Sequence, residues 1–274
     1  MTAILVLGQV FAVLYGLAIG SFLAVCVVRL PEDRSLLVPS SCPHCAHKIR
    51  WRDNIPVLSW LWLRARCRDC GERIGSLHPA LEALGAVLAL LVFRHVFRGP
   101  EDLDLAHAAA WVVQFSFLSL LVVAAAVDVR HRIIPDQTSS LAVPFGIAAA
   151  VLLQWLGYDG WLAIGWRASV AGAVLWGGAF WLFSWGAFLM TGQVALGWGD
   201  VKLVAMLGAF LGAYPGAFLV VLMGSVLGSV VGILFTAVQW RRVYLPYGPP
   251  LAIAGAIYVL WGDLILHRLF PNLQ

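Results

Sequence analysis

Charge is what this 274-residue chain has least of: Asp, Glu, Lys and Arg together supply 12% of it, against 61% hydrophobic residues. So few charges cannot clothe a water-soluble domain of this size, and the composition is that of a polytopic membrane protein. Other absences narrow the chemistry. There is no G-x-S-x-G and no H-E-x-x-H, which excludes the serine nucleophile elbow and the helical zinc protease site. No basic stripe with interleaved aromatics is present, so the net charge of +4 gives no reason to expect a nucleic-acid partner. No low-complexity tract and no internal repeat is read, and nothing in the sequence speaks for a particular oligomeric state. Cysteine is scarce too, five in all, but four of the five fall within one loop.

What is present is a series of apolar runs. A helix needs roughly 20 apolar residues to cross a bilayer, and runs near 3–28, 80–97, 105–128, 138–156, 168–190, 200–213, 216–238 and 249–269 qualify, the sixth being short. The expected architecture is an all-α polytopic membrane protein with about eight transmembrane helices and a small zinc-binding cytoplasmic loop domain. Its parts are a first helix (1–30), the loop domain (31–78) and a helical membrane core (79–274). The first run has no basic residue ahead of it and is too long for a signal peptide, so it is read as retained. With the N-terminus outside, fourteen of the eighteen Lys and Arg fall on the cytoplasmic side, and Arg94, Arg98, Arg167 and Arg268 remain outside. That asymmetry sets the orientation by the positive-inside rule.

Within the loop stand Cys42-Pro-His-Cys45 and Cys67-Arg-Asp-Cys70. Two C-x-x-C pairs at this separation suit tetrahedral Zn²⁺, and a loop this short needs a staple in place of a core. Disulfides are the alternative, disfavoured on a reducing face. Four thiolates close the coordination shell, so the zinc is expected to be structural. His44 and His47 read as exposed loop histidines, and Cys26, inside the first run, as a small hydrophobe.

Two carboxylates stand where carboxylates are expensive. Asp128 ends the run LSLLVVAAAVD and Asp200 follows Gly197-Trp-Gly199, just before another apolar run. Each has a plain explanation, Asp128 as partner of Arg130 or Arg132 and Asp200 as a helix cap. Taken together they suggest a pair sharing one proton, able to activate water and protonate a carbonyl: peptide hydrolysis without a metal. A proton-relay transporter and a non-catalytic assembly protein docking through the cysteine loop are the rival classes. Lys202, two residues after Asp200, would stabilise a developing anion or neutralise the pair. Gly208, Gly212 and Gly216, like Gly224, Gly228 and Gly232, recur every fourth residue and read as helix-packing faces. The thirteen tryptophans read as interface anchors.

The ordered segments GSFLAVCVVRLP (20–31), NIPVLSWLWLR (54–64) between the cysteine pairs, Asp128 with six residues to Pro135-Asp136, GWGDVKL and LPYGPPLA (245–252) resemble the type IV prepilin peptidases along essentially the whole chain. The resemblance implies a bifunctional GxGD-type intramembrane aspartyl protease of the bacterial inner membrane. It would cut the leader from type IV prepilins or type II secretion pseudopilins on the cytoplasmic side, then N-methylate the new terminus with S-adenosylmethionine. It assigns Asp128 and Asp200 as the catalytic pair, Gly197, Gly199, Asp136 and Lys202 as supporting residues, and Cys42, Cys45, Cys67 and Cys70 as zinc ligands. Glu82 matches a Pro-x-x-Glu position, open between a part in methyl transfer and a helix cap. Ala24, Ala65-Arg66 and Leu77-His78-Pro79 depart from the usual pattern. None touches the protease pair, but Ala24 and Leu77-His78 lie in or beside the segment that the resemblance links to methyl transfer, so a protease of this class without methyl transfer is the nearer alternative.

Overall fold

A computed structural model describes residues 3–193, 196–239 and 246–269. Among the described residues nine α-helices are formed: α1 (Ala3–Arg29), α2 (Leu58–Trp62), α3 (Leu77–Val96), α4 (Leu105–His131), α5 (Ala142–Trp155), α6 (Trp166–Thr191), α7 (Trp198–Leu211), α8 (Phe218–Gln239) and α9 (Gly248–Leu269). No strand occurs among the described residues, only two isolated bridges in the cysteine loop. Among the described residues seven stretches are long and apolar enough to cross a membrane, the sixth of them a 40-residue stretch from Trp198 to Ala237. That stretch holds the two separately expected runs, 200–213 and 216–238. At Gly212–Ala217 the helix is interrupted, with Gly212 at φ +72°, Tyr214 extended and Pro215 unable to donate. At 14 residues α7 is about 21 Å long, short of a hydrocarbon core of about 30 Å.

The chain forms two compact units, residues 1–100 and 101–274. In the first, the backbones of α1 and α3 come into close approach at Gly16, Gly20 and Gly85, while Gly8 receives the Phe93 ring. A Cβ on Gly20 would come 2.5 Å from the Leu81 carbonyl and 2.6 Å from the Glu82 Cα, and one on Gly16 would strike the Gly85 carbonyl. With little hydrophobic effect available inside lipid, such close backbone approach is what holds helices together. The loop between them is built by hydrogen bonds and ion pairs. Arg29 points one guanidinium nitrogen at the carbonyls of Ser35 (3.0 Å) and Val38 (2.6 Å), folding the chain back after α1.

In the second unit α7 is the central helix. Val201, Leu203, Val204, Met206, Leu207, Ala209, Phe210 and Leu211 are all buried, so the helix is enclosed on every side. By contrast α6 buries only Ser169, Gly172 and Ala173. Those three face α7: a Cβ on Gly208 would strike the Gly172 carbonyl, and Ser169 Oγ donates to the Ala209 carbonyl at 2.6 Å. The expected Gly208–Gly212–Gly216 face therefore does not run along one helix, because the chain breaks at Gly212, although Gly208 itself packs as expected. The Trp176 indole donates to the Ala213 carbonyl at 2.8 Å and so satisfies an acceptor that the break releases. Gly224 and Gly228 receive Leu251 and Pro250, which brings the start of α9 against α8.

Candidate active site and metal centre

The four cysteines converge. The Sγ atoms of Cys42, Cys45, Cys67 and Cys70 lie within 4.8 Å of one another, with Cys42 and Cys70 at 3.8 Å. Tetrahedral Zn–S bonds of about 2.3 Å require sulfurs about 3.8 Å apart, so the tetrad has the dimensions of a closed thiolate site. The amides of Cys45 and His44 bring the Cys42 thiol down to about 6. Against the pull of the His47 and Glu72 amides, burial and neighbouring thiols push Cys45 and Cys70 up, Cys70 to about 12. A set of crowded sulfurs of this kind ionises fully only when a cation joins it, releasing protons.

The two halves of the tetrad are copies of each other, a repeat that the sequence reading missed. Residues 40–49 and 65–74 share one hairpin. Cys42 N–H bonds the His47 carbonyl (2.9 Å) as Cys67 N–H bonds that of Glu72 (2.8 Å). Ile49 N–H bonds Ser40 (3.0 Å) as Ile74 N–H bonds Ala65 (2.7 Å). After the second cysteine of each pair the backbone turns left-handed, at Ala46 (φ +59°) and Gly71 (φ +72°). Set beside each other, SCPHCAHKI and RCRDCGERI show the shared spacing and the final isoleucine. Ion pairs brace the halves: Arg50 with Asp69 at 2.9 Å, and Arg68 gripping both oxygens of Asp53 at 2.6–3.0 Å. That grip holds the Asp53 carboxyl below its ordinary range.

Glu82 does not cap α3, whose start carries no side-chain cap. It is buried, and its Oε2 accepts the Val57 amide at 2.7 Å across the loop. Val57 has φ +61°, so the carboxylate latches a backbone that would otherwise relax.

The aspartates occupy the second unit. Asp128 lies in the last turn of α4, which Arg132 closes in left-handed conformation, its amide bonding the Asp128 carbonyl at 2.9 Å. The Asp128 side chain is 5% exposed and forms no ion pair with Arg130 or Arg132 among the described residues. Its Oδ2 instead accepts the amide of Gly248, first residue of α9, at 2.8 Å. Asp200 is the third residue of α7. Gly197 takes the N-cap position, and the Asp200 carboxyl reaches back beside the Gly197 amide. The charge of Asp128 acts on Asp200, and that of Asp200 on Tyr247, whose hydroxyl shares a 2.6 Å hydrogen bond with Ser225. Asp128, Asp200 and Tyr247 thus form one electrostatic neighbourhood, contributed by α4, α7 and the approach to α9.

Gly199 makes room for the preceding turn: a Cβ there would stand 3.0 Å from that of Ile134. Lys202 is engaged with Asp136 at 2.6 Å, an ion pair open to solvent. It ties the Pro135-Asp136 turn to α7 and is not directed at Asp128 or Asp200. Gly248 is the residue that sequence reasoning left without a role. Its signal was the LPYGPPLA segment itself, since a Cβ at Gly248 would stand 2.7 Å from Asp128 Oδ2.

Two family models match the chain: the bacterial peptidase A24 N-terminal domain over residues 14–96 and the type IV leader peptidase family over 115–233. Among curated relatives, the prepilin leader peptidase/N-methyltransferase of Aeromonas hydrophila is 37% identical over 94% of this chain and 92% of its own length. That of Dichelobacter nodosus is 31% identical over 97% and 96%. The protein of the same name from Myxococcus xanthus is 40% identical over 73% of this chain and 55% of its own length. No solved structure gives a significant match. With seven apolar spans among the described residues and a carboxylate at the end of α4 and at the start of α7, the chain belongs to the type IV leader peptidase family and is a multi-pass bacterial membrane enzyme, a peptidase with N-methyltransferase activity.

Proposed function

We propose that this enzyme cleaves the leader from type IV prepilins or type II secretion pseudopilins at the cytoplasmic face of the inner membrane, with Asp128 and Asp200 as the catalytic pair, and then methylates the new N-terminus from S-adenosylmethionine. The observation that carries the reading is the pair itself: two carboxylates from α4 and α7 in one electrostatic neighbourhood, one of them oriented by a backbone amide. Sharing a proton, one carboxylate takes a proton from water as the other gives one to the scissile carbonyl oxygen, and the leaving amine is protonated as the C–N bond breaks. Arg130, Arg132 and Lys202 sit at the same helix ends as the aspartates, which supports a cytoplasmic site by the positive-inside rule.

The sulfurs of Cys42, Cys45, Cys67 and Cys70 would hold a structural Zn²⁺, which when bound joins the two hairpins and leaves no open position for substrate. Gly197 and Gly199 support the pair by permitting close backbone approach, and the Asp136–Lys202 ion pair by positioning α7. Co-expression of a prepilin with Asp128→Asn or Asp200→Asn tests the assignment. Processing should be abolished in each, and cleavage near the wild-type rate in either would exclude the pair. Mass spectrometry of the mature pilin N-terminus reads cleavage and methylation together.

A further inference from the structure

The short helix α2 of the first unit carries an exposed apolar face. Leu58, Leu61 and Trp62, spaced i, i+3 and i+4 and so on one side of the helix, are 62%, 57% and 83% exposed. The other side is fastened to the second cysteine hairpin. There the Trp60 indole N–H donates to the Ile74 carbonyl at 3.1 Å, and the Ala65 amide bonds the Trp60 carbonyl at 2.8 Å. Three large apolar side chains within five residues are a costly face to leave in water.

The depth of α2 decides what meets that face. Val57, its N-cap, donates its amide to Glu82 Oε2 at 2.7 Å. Glu82 lies five residues into the apolar span Leu77–Val96, about 8 Å along its axis. Gly20, packed against the Leu81 carbonyl and the Glu82 Cα, marks the same level on α1. From there α1 runs nine residues further, about 13 Å, and carries no charge until Arg29. Helical side chains lean toward the start of their helix, which raises the Val57 amide at most to about the level of Leu77, still a turn below Arg29. Phe22, half-exposed on α1, faces outward in the same layer. A backbone enters such a layer only where its amides find partners in the protein. Here the Leu58 and Ser59 amides bond the carbonyls of Pro56 and Ile55, and buried Glu82 takes that of Val57. The charges beside α2 suit a membrane boundary too. Arg52 and Arg64 are exposed and form no ion pair among the described residues, and Asp53 is gripped by Arg68.

We propose that α2 is an interfacial membrane helix: its Leu58, Leu61 and Trp62 face is covered by the phospholipids of the leaflet on the loop's side, and Glu82 is the buried acceptor that lets its backbone start at that depth. Apolar faces of this kind sink roughly 5–10 Å into the boundary between headgroups and acyl chains. Tryptophan is favoured in that boundary, and the lipid phosphates attract cations such as Arg52 and Arg64. The cysteine module is thereby held to the bilayer at a third point besides the ends of α1 and α3, independently of how the enzyme cleaves or methylates.

The test is photo-crosslinking of the full-length protein in nanodiscs of phosphatidylethanolamine and phosphatidylglycerol, with benzoylphenylalanine placed singly at Leu61, at Trp62 or, as the lipid-facing reference, at Phe22. All three side chains are exposed, so the substitutions leave the packing intact. Mass spectrometry after irradiation should find phospholipid adducts at Leu61 and Trp62 in yields within about fivefold of that at Phe22. A lower yield at either position, or a crosslink to a second copy of the chain in place of lipid, would overturn the proposal. The part of Glu82 is read in the same assay with the probe at Leu61. Glu82→Leu leaves the Val57 amide without its acceptor and should cut the lipid adduct by at least about fivefold, whereas Glu82→Gln, which keeps an acceptor oxygen, should retain it. An unchanged yield in Glu82→Leu, or an equal loss in both variants, would remove Glu82 from that role.

Discussion

The cysteine module and the aspartate pair are held in place by opposite means. The module has hardly any core of its own: Cys42 is its one buried hydrophobic residue among positions 33–76, and Leu37, Trp51 and Trp62 are exposed. Hairpin hydrogen bonds, two ion pairs and four convergent sulfurs define it, so its order would depend on the proposed ion. The aspartates sit on helices enclosed by Phe115, Phe117, Leu121, Leu203, Met206, Leu207 and Leu251, and on glycines that let backbones touch. Their positions depend on packing. A perturbation that empties one region should therefore leave the other standing.

The largest expected effect is chemical and confined to the second unit. Asp128→Asn or Asp200→Asn should lower the cleavage rate by about 10³-fold or more, in the upper range for losing a general acid or base. Zinc content should not change. A parallel loss of zinc would show that the two regions are not independent. Next is Gly248→Ala, whose Cβ must displace the Asp128 carboxylate. We expect a drop in kcat of about 10²-fold with KM little changed, the usual result of misplacing a catalytic group by about 1 Å. A rise in KM alone would move Gly248 from orienting Asp128 to binding substrate.

The complementary experiment empties the module. Cys42→Ser, or chelation of the wild type, should abolish stoichiometric zinc and open the 31–78 loop to added protease, as expected where metal binding supplies the folding energy. The melting temperature of the helical core should not fall. At the smaller end, Lys202→Met removes a solvent-open ion pair and should change stability by about 0.5 kcal/mol or less, read by thermal unfolding. Ala46→Gly should slow zinc release to a competing chelator, because Ala46 holds a left-handed conformation that its counterpart Gly71 takes freely. The strain relieved is of the order of 1 kcal/mol. Faster release would mean that the Ala46 side chain holds more than it strains.

How much of this was legible in the residues differs between the regions for the same physical reason. Apolar runs, paired cysteines and isolated carboxylates are local facts, and they led directly to helices, a metal tetrad and a candidate pair. Interactions between distant segments leave weaker marks. That Lys202 turns to Asp136, that Glu82 reaches Val57, and that Asp128 receives an amide 120 positions away are outcomes of packing that no spacing announces. The hairpin repeat was readable, since SCPHCAHKI and RCRDCGERI align without a gap, but seven of their nine residues lie outside the cysteines and only the isoleucine agrees among those. The break at 212–217 was half legible: Pro215 and the flanking glycines marked the place and suggested two runs, while the glycine periodicity invited a continuous face.

The start of α9 has a consequence for inhibition. Helix N-termini ordinarily offer several free amides and attract anions. Here Pro249 and Pro250 have no N–H, the Leu251 amide turns back to the Tyr247 carbonyl at 3.4 Å, and the Gly248 amide is taken by Asp128. That helix end is closed to any further acceptor. An inhibitor built around a carboxylate or phosphonate would find no donor there and would meet the negative charge of the aspartates, whereas a neutral hydroxyl or hydrated carbonyl could bond to both carboxylates, so potency should follow the neutral warhead.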